Sequence, residues 1–356
     1  MNPKNQKENG MQLPPTQSRG TLSVMACNSG KKFAKRVIDE LNRIAKKDNK
    51  EGNYELTCSK ETVFPNDEVK VVIDEFIRGD DLYIIQCIDD PLSDRSTNDN
   101  LMALVTAIHA AYQADPDHIT AVIPQYPYAR QERRKGREAI SAKLIASLLE
   151  IAGAQRVLTL DVHAEAIQGF FNYTKMEDMH ASGEIIDYLQ NVQKLDTSNL
   201  VVTGPDVGSA ERARHYSKRL ETGLAIVDKA RDYSKTSKVE SMRLVGEVKD
   251  KDVLIVDDMI ATGNTLIQAA ALLKEKGAKD IYVVVSLPFF NGNAVEKIDR
   301  AYDDGVIKMV IGTDAVFWGE AFVENTGWYR EVSVAPLFAK VIYNINQKKS
   351  VSSLLR

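Results

Sequence analysis

The chain has 356 residues, 44% of them hydrophobic and 27% charged, with 46 Lys and Arg against 50 Asp and Glu. That length exceeds one small core and implies two domains, and the composition is that of a globular protein. The net charge of -4 argues against a general nucleic-acid binder. Three scattered cysteines (Cys27, Cys58, Cys87) make neither a disulfide framework nor a zinc site. No run is long and apolar enough to span a membrane and no secretory segment is seen, so the cytoplasm is the expected location.

Residues 1–20 are polar, carry prolines and lack periodicity, which predicts a disordered leader. Beyond them, short apolar runs at 82–88, 119–123, 157–160, 200–202, 224–227, 253–256, 281–285 and 307–311 alternate with helical patterns. The helical patterns cover 31–47, 100–114, 139–152, 183–192, 209–221 and 265–277. Such alternation predicts βαβ units and parallel sheets, hence an α/β fold. The expected division is a first domain at 21–175, a second at 176–339, and a helical tail at 340–356 packed back on the first.

Several runs end in an acid where the strand should finish: Asp89, Asp161 with His163 just after, Asp206, Asp228 with Lys229, Asp257 with Asp258, and Asp314. In open parallel sheets, ligands bind outside the carboxyl ends of the strands, so the recurrence predicts an acid-lined crevice. The most informative member is Val253-Leu254-Ile255-Val256-Asp257-Asp258-Met259-Ile260-Ala261-Thr262-Gly263-Asn264-Thr265. An apolar strand meets two carboxylates, then a short polar loop opens a helix. Amides at a helix N-terminus hold a phosphate well. Carboxylates repel phosphate, so Asp257 and Asp258 are expected to accept hydrogen bonds from sugar hydroxyls beside it. Phosphate plus vicinal hydroxyls describes a ribose 5-phosphate site.

This run resembles the phosphoribosyl-pyrophosphate binding motif of phosphoribosyltransferases and ribose-phosphate pyrophosphokinases. Four more segments extend the likeness: Asn98-Asp99-Asn100-Leu101-Met102, Tyr126-Pro127-Tyr128-Ala129-Arg130-Gln131, Asp161-Val162-His163-Ala164 with Ile167-Gln168-Gly169-Phe170-Phe171, and Gly204-Pro205-Asp206-Val207-Gly208. From about Ser23 to the C-terminus the chain is similar to the ribose-phosphate pyrophosphokinases. The resemblance implies two tandem phosphoribosyltransferase-like domains, each a parallel sheet flanked by helices. It implies transfer of the pyrophosphoryl group of ATP to the anomeric hydroxyl of ribose 5-phosphate, giving 5-phosphoribosyl 1-pyrophosphate and AMP. A non-catalytic regulatory homologue and a phosphoribosyltransferase are the alternatives.

The resemblance also implies roles. Asp257, Asp258, Ala261, Thr262, Gly263, Asn264 and Thr265 bind ribose 5-phosphate. Arg130 and Gln131 bind ATP, while Phe64, Asn66 and Glu68 reach adenine from a neighbouring subunit, in a hexamer built from dimers. His163 and Asp206 hold Mg²⁺, and His163 acts in catalysis with Lys229 and Arg231. By composition the cluster Arg130, Arg133, Arg134, Lys135 and Arg137 reads instead as a solvated face, although Arg forks suit phosphate. A lone His such as His163 is more often structural than ligating. Lys229-Ala230-Arg231 opens a polar stretch at 232–241 with the composition of a mobile flap. His109, His118, His180 and His215 read as structural or exposed.

Departures from the family pattern are specific. Ala261 stands where Asp is usual, and Asn264 where Gly is common. The 133–139 segment is one residue short, with Ala139 in place of Pro. Phe76 and residues 175–180 depart near the family's regulatory anion site, which implies that phosphate activation and ADP inhibition are altered or absent. The aromatic group Phe317, Trp318, Phe322 and Trp328 is compatible with a core or an interface.

Overall fold

A computed structural model describes residues 19–48, 53–231 and 240–355, leaving aside the side chains of residues 229–231 and 240–241. The first half contains β1 (Leu22–Ala26), α1 (Lys31–Lys47), β2 (Ser59–Val63), β3 (Val69–Ile73), β4 (Asp81–Ile85), α2 (Thr97–Gln113), β5 (His118–Val122), α3 (Ser141–Ala152), β6 (Arg156–Leu160) and β7 (Lys175–Met179). The second contains α4 (Ser182–Asp187), β8 (Leu200–Thr203), α5 (Ala210–Leu220), β9 (Gly223–Leu224), β10 (Ile226–Arg231), β11 (Glu240–Val245) and β12 (Asp252–Ile260). It continues with α6 (Asn264–Glu275), β13 (Ile281–Pro288), α7 (Ala294–Asp303), β14 (Met309–Thr313), α8 (Glu320–Asn325), β15 (Tyr329–Val332) and α9 (Ala335–Asn346).

Two parallel sheets result, in the orders β1-β4-β5-β6-β7 and β15-β14-β13-β12-β8-β9. The central strands are buried apolar runs such as Ile-Tyr-Val-Val-Val in β13, as sheets covered on both faces require. Helices α2 and α3 close one face of the first sheet, and α6 and α7 one face of the second. The inner faces share a single apolar core with α1, α4, α5 and α9, so the two α/β units are packed through a common helical layer. Within it Phe33 of α1 meets Phe338 of α9 edge-on, with centroids 5.2 Å apart. Burying a side chain of that size contributes about 2–3 kcal/mol.

The expected boundaries shift in several places. Strand β7 pairs with β6, so the first sheet extends to Met179, past the division expected at 175. The tail helix begins at Ala335 rather than 340, and it lies on the first domain: Asn346 Nδ2 donates to Asp81 at 3.2 Å, and Tyr343 Oη donates to Asp48 at 2.8 Å. The leader at 1–20 lies mostly outside the described residues, but Arg19 N donates to Asn346 O at 2.9 Å. Strand β12 does not stop at Val256; it pairs with β13 through Asp257, Met259 and Ile260. Strands β1, β2, β3, β7, β11 and β15 and helices α7 and α8 fall in none of the expected runs. Three of the aromatic group join the core, where Trp318, Phe322 and Trp328 pack with Phe290 and Tyr329 at centroids 5.1–6.4 Å apart, whereas Phe317 lies outside this cluster with Arg36 over its ring.

Candidate active site

The carboxyl ends of β6 and β12 face each other across the junction of the two units. At the end of β12 the turn Ala261-Thr262-Gly263 reverses the chain into α6. Gly263 caps this helix at φ 73°, a left-handed conformation that glycine adopts without a Cβ penalty. Ile267 makes the first bond of the helix, to Gly263 O at 3.0 Å, so the amides of Asn264, Thr265 and Leu266 lack intrahelical acceptors. These donors line a cavity of about 480 Å³ together with Asp257, Asp258, Asp206, His163 and Arg130. Every residue expected at the ribose 5-phosphate loop therefore falls on one cavity, and the two residues expected at the metal join them.

The acids of this cavity are not equivalent. His163 Nδ1 lies 2.7 Å from Asp258 Oδ2. This bond raises the His163 pKa against the opposing effect of burial. Burial works against ionised Asp258, but the His163 hydrogen bond and the Arg212 charge overcome it and hold its pKa below the usual value. Asp257 is pushed well upward, by burial first and by its charged neighbour Asp258 second. Two adjacent carboxyls resist ionising together, so Asp257 is the easier of the pair to protonate and Asp258 the one held more readily as the anion.

Asp206 sits in a capping turn before α5, where its Oδ1 accepts from Ser209 N at 3.2 Å. Gly204 makes this turn possible, because a Cβ there would lie 2.1 Å from Ser209 Oγ. No group of three or more His, Cys, Asp or Glu suited to a metal occurs among the described residues. That donor set still fits Mg²⁺, which usually takes one or two protein carboxylates and completes its shell with substrate phosphates and water. His163, with Nδ1 committed to Asp258, presents Nε2.

A second cavity, of about 260 Å³, opens beside the first and shares His163, Arg130 and Ala261 with it. Its mouth carries Tyr128, Arg130 and Gln131. Tyr128 adopts φ 58° and its hydroxyl donates to Asn98 in the first turn of α2. Gln131 Oε1 accepts from Ser141 Oγ at 2.6 Å at the start of α3. The Asn98–Met102 motif is thereby explained: Ser96 and Asp99 form a capping box, and buried Asn100 holds Ile88 O at 3.0 Å.

Other expected residues fall elsewhere. Phe64, Asn66 and Glu68 lie on the turn joining β2 to β3, where the Phe64 ring is 42% exposed, and they line neither cavity. Lys229 and Arg231 lie in β10, paired with Met242 and Glu240 of β11 in a two-stranded ribbon. The flap expected at 232–241 lies mostly outside the described residues. Asp314 does not line the crevice; it is fully buried and accepts from Arg36 Nη1 at 2.7 Å and Val334 N at 2.7 Å. Asp161 lines the second cavity, but its carboxylate serves as a brace, taking His180 Nδ1 and Arg212 Nη1 at 2.9 Å each and the Ser286 hydroxyl. His180 is thus structural, as expected. The sequence reading missed Arg212, which lines the first cavity from α5, because an Arg inside a charged helix looks like surface.

The model of the N-terminal domain of ribose phosphate pyrophosphokinase matches residues 22–153, and that of the phosphoribosyl transferase domain matches 174–324. A ribose-phosphate pyrophosphokinase from Ralstonia nicotianae is 38% identical over 338 residues, covering 94% of this chain and 98% of its own. One from Chlorobaculum tepidum is 41% identical over 300 residues, covering 84% and 87%. The crystal structure of phosphoribosylpyrophosphate synthetase from Mycobacterium smegmatis superposes with a TM-score of 0.79 at 31% identity, covering 92% of this chain and 99% of that one. With both halves matched, and with relatives this similar along nearly their whole length, the chain belongs to the ribose-phosphate pyrophosphokinase family.

Proposed function

We propose that this chain transfers the pyrophosphoryl group of ATP to the anomeric hydroxyl of ribose 5-phosphate, and that it does so in the paired cavities between the two units. The observation that carries the proposal is the meeting of His163 from the first unit with Asp206, Asp258 and the α6 loop of the second. The 128–131 segment beside them supports a nucleotide donor, which a base-exchanging phosphoribosyltransferase has no use for.

In this reading the amides of Asn264, Thr265 and Leu266 hold the 5-phosphate, and the Thr262 and Thr265 hydroxyls add donors. Asp258 and Asp257 accept hydrogen bonds from the ribose hydroxyls. The sugar is thereby fixed with its anomeric oxygen facing His163 and the second cavity. Arg130 and Gln131 hold the ATP phosphates and nucleoside at that cavity's mouth. Asp206 and His163 would hold Mg²⁺, which when bound would neutralise phosphate charge. Lys229 and Arg231, whose backbone lies in the β10–β11 ribbon, are assigned cationic stabilisation of the charge that develops during transfer. Catalysis of phosphoryl-type transfer is chiefly alignment and electrostatics, and no general base is assigned.

Phe64, Asn66 and Glu68 line neither cavity of their own chain, so an adenine contact from them requires a neighbouring copy. Assembly as a hexamer of dimers belongs to the same proposal, as does a cytoplasmic location. No helix among the described residues is long and apolar enough to cross a membrane.

The test is a phosphorus NMR time course with ATP, Mg²⁺ and ribose 5-phosphate. The expected result is AMP together with a new pair of pyrophosphate doublets; ATP persisting unchanged overturns the reading.

A further inference from the structure

The departure at Asn264 has a structural partner. Helix α7 starts against the ribose loop: a Cβ on Gly263 would lie 3.9 Å from Ala294. One turn further along, the Lys297 ammonium donates to Asn264 Oδ1 at 2.8 Å and to Thr262 O at 3.2 Å. An ammonium has donors only, so it takes the amide oxygen of Asn264 and settles which end of that amide is which. The two N–H donors of Asn264 then point away from Lys297, and among the described residues no protein acceptor takes them. Asn264 lines the ribose cavity at the N-terminus of α6, whereas Lys297 does not line it.

We propose that Lys297 is a positioning residue for the ribose-phosphate loop, fixing Asn264 so that its side-chain amide donates to the sugar's 5-phosphate. Where the resemblance leads one to expect a glycine with only a backbone amide, this chain adds a side-chain donor. The same ammonium anchors the Thr262 carbonyl, pointing it away from the bound anion. The inference rests on the loop being the ribose 5-phosphate site.

Steady-state kinetics on the full chain test it, with K297M, K297R, N264G and the K297M/N264G double variant. K297M and N264G each raise KM for ribose 5-phosphate about fivefold, the order expected for one hydrogen bond to an anion at an open site. The loss falls on this KM rather than on kcat or on KM for ATP. The double variant is no worse than N264G alone, because the two residues act as one unit. K297R, which keeps the donors, stays within about twofold of the parent. An unchanged KM in K297M, additive losses in the double variant, or a loss shared with KM for ATP and with the melting temperature each overturn the proposal. Failure of the underlying reading is recognised separately, because the parent protein then shows no turnover dependent on ribose 5-phosphate.

Discussion

His163 Nδ1 and Asp258 Oδ2, 95 residues apart, lie 2.7 Å from each other and join the segment just past β6 to the carboxyl-terminal part of β12. One hydrogen bond thus links the residue expected at the ATP phosphates to the one expected at the sugar. Both partners lose their geometry when either is removed.

D258N removes the anion that accepts the sugar hydroxyl and leaves His163 without its charged partner. We expect kcat/KM for ribose 5-phosphate to fall roughly a hundredfold, with most of the loss in KM. H163A is expected to lower kcat by about a hundredfold or more, as loss of a preorganised electrostatic contact does. Initial rates at varied ribose 5-phosphate separate the two patterns; equal losses of kcat in both variants would contradict the assignment.

Asp161 is fully buried between His180, Arg212 and Ser286, and burial alone would raise its pKa. The His180 hydrogen bond and the Arg212 charge reverse this and hold it well below the usual carboxylate range. A depressed carboxylate contributes stability above its unfolded pKa of about 3.9, and that stability is lost as pH falls toward the folded value. D161N leaves two cations without their anion and is expected to cost about 3 kcal/mol or more at neutral pH. Denaturant midpoints at pH 7, at pH 4 and at about pH 2.5 are the check. The gap between D161N and the parent narrows only at the acid end, and a uniform gap down to strongly acid pH would refute the linkage.

Asp178 behaves in the opposite sense. Burial first, with the neighbouring Asp161 charge adding to it, pushes its pKa up to about 7, while Val162 N donates to it at 3.0 Å. A raised carboxyl contributes stability that is complete below its unfolded pKa and is lost as pH rises through about 7. D178N keeps an acceptor for Val162 but has no proton to lose. It should match the parent only below about pH 4, and exceed it in melting temperature by a margin that grows up to about pH 7 and is full near pH 8. A variant less stable than the parent at pH 8 would show that the carboxylate is needed there.

Phe76 is 81% exposed on the turn after β3, and residues 175–179 form β7 at the edge of the first sheet. If these departures remove the regulatory anion site, pyrophosphoryl transfer proceeds at the same rate with and without inorganic phosphate, and ADP inhibits only in competition with ATP. Strong dependence on added phosphate would sink this expectation.

Much of this architecture was legible in the chain because its signals are local. Lys31–Lys47 has helical periodicity and is a helix over the same residues, and the apolar runs of β4, β5, β6, β8 and β13 lie within a few residues of their strands. Less was legible where a neighbour overrides the local pattern. The hairpin strand Ser59-Lys60-Glu61-Thr62-Val63 is mostly polar and is held by pairing with β3 rather than by burial. Asp257 and Asp258 look like the end of a strand, yet the ladder with β13 carries β12 past them to Ile260.

The sequence by itself singled out the residues proposed to bear the chemistry: the acid pair, the threonine and glycine loop, His163 and Asp206 are all adjacent to strand ends that hydropathy exposes. It could not separate a strand-end acid that faces a cavity from one that braces the interior. Asp206 and Asp258 line the cavity, whereas Asp314 is fully buried against Arg36, and these roles follow from which side chains of distant segments arrive beside each carboxylate. The same holds for Arg212 and Lys297, ordinary helix-surface residues in sequence. Their charge becomes functional only because tertiary packing sets α5 behind Asp161 and α7 against the ribose loop. Covalent order dictates the local pattern, but the desolvation and charge pairing that give a side chain its task belong to contacts between segments far apart in the chain.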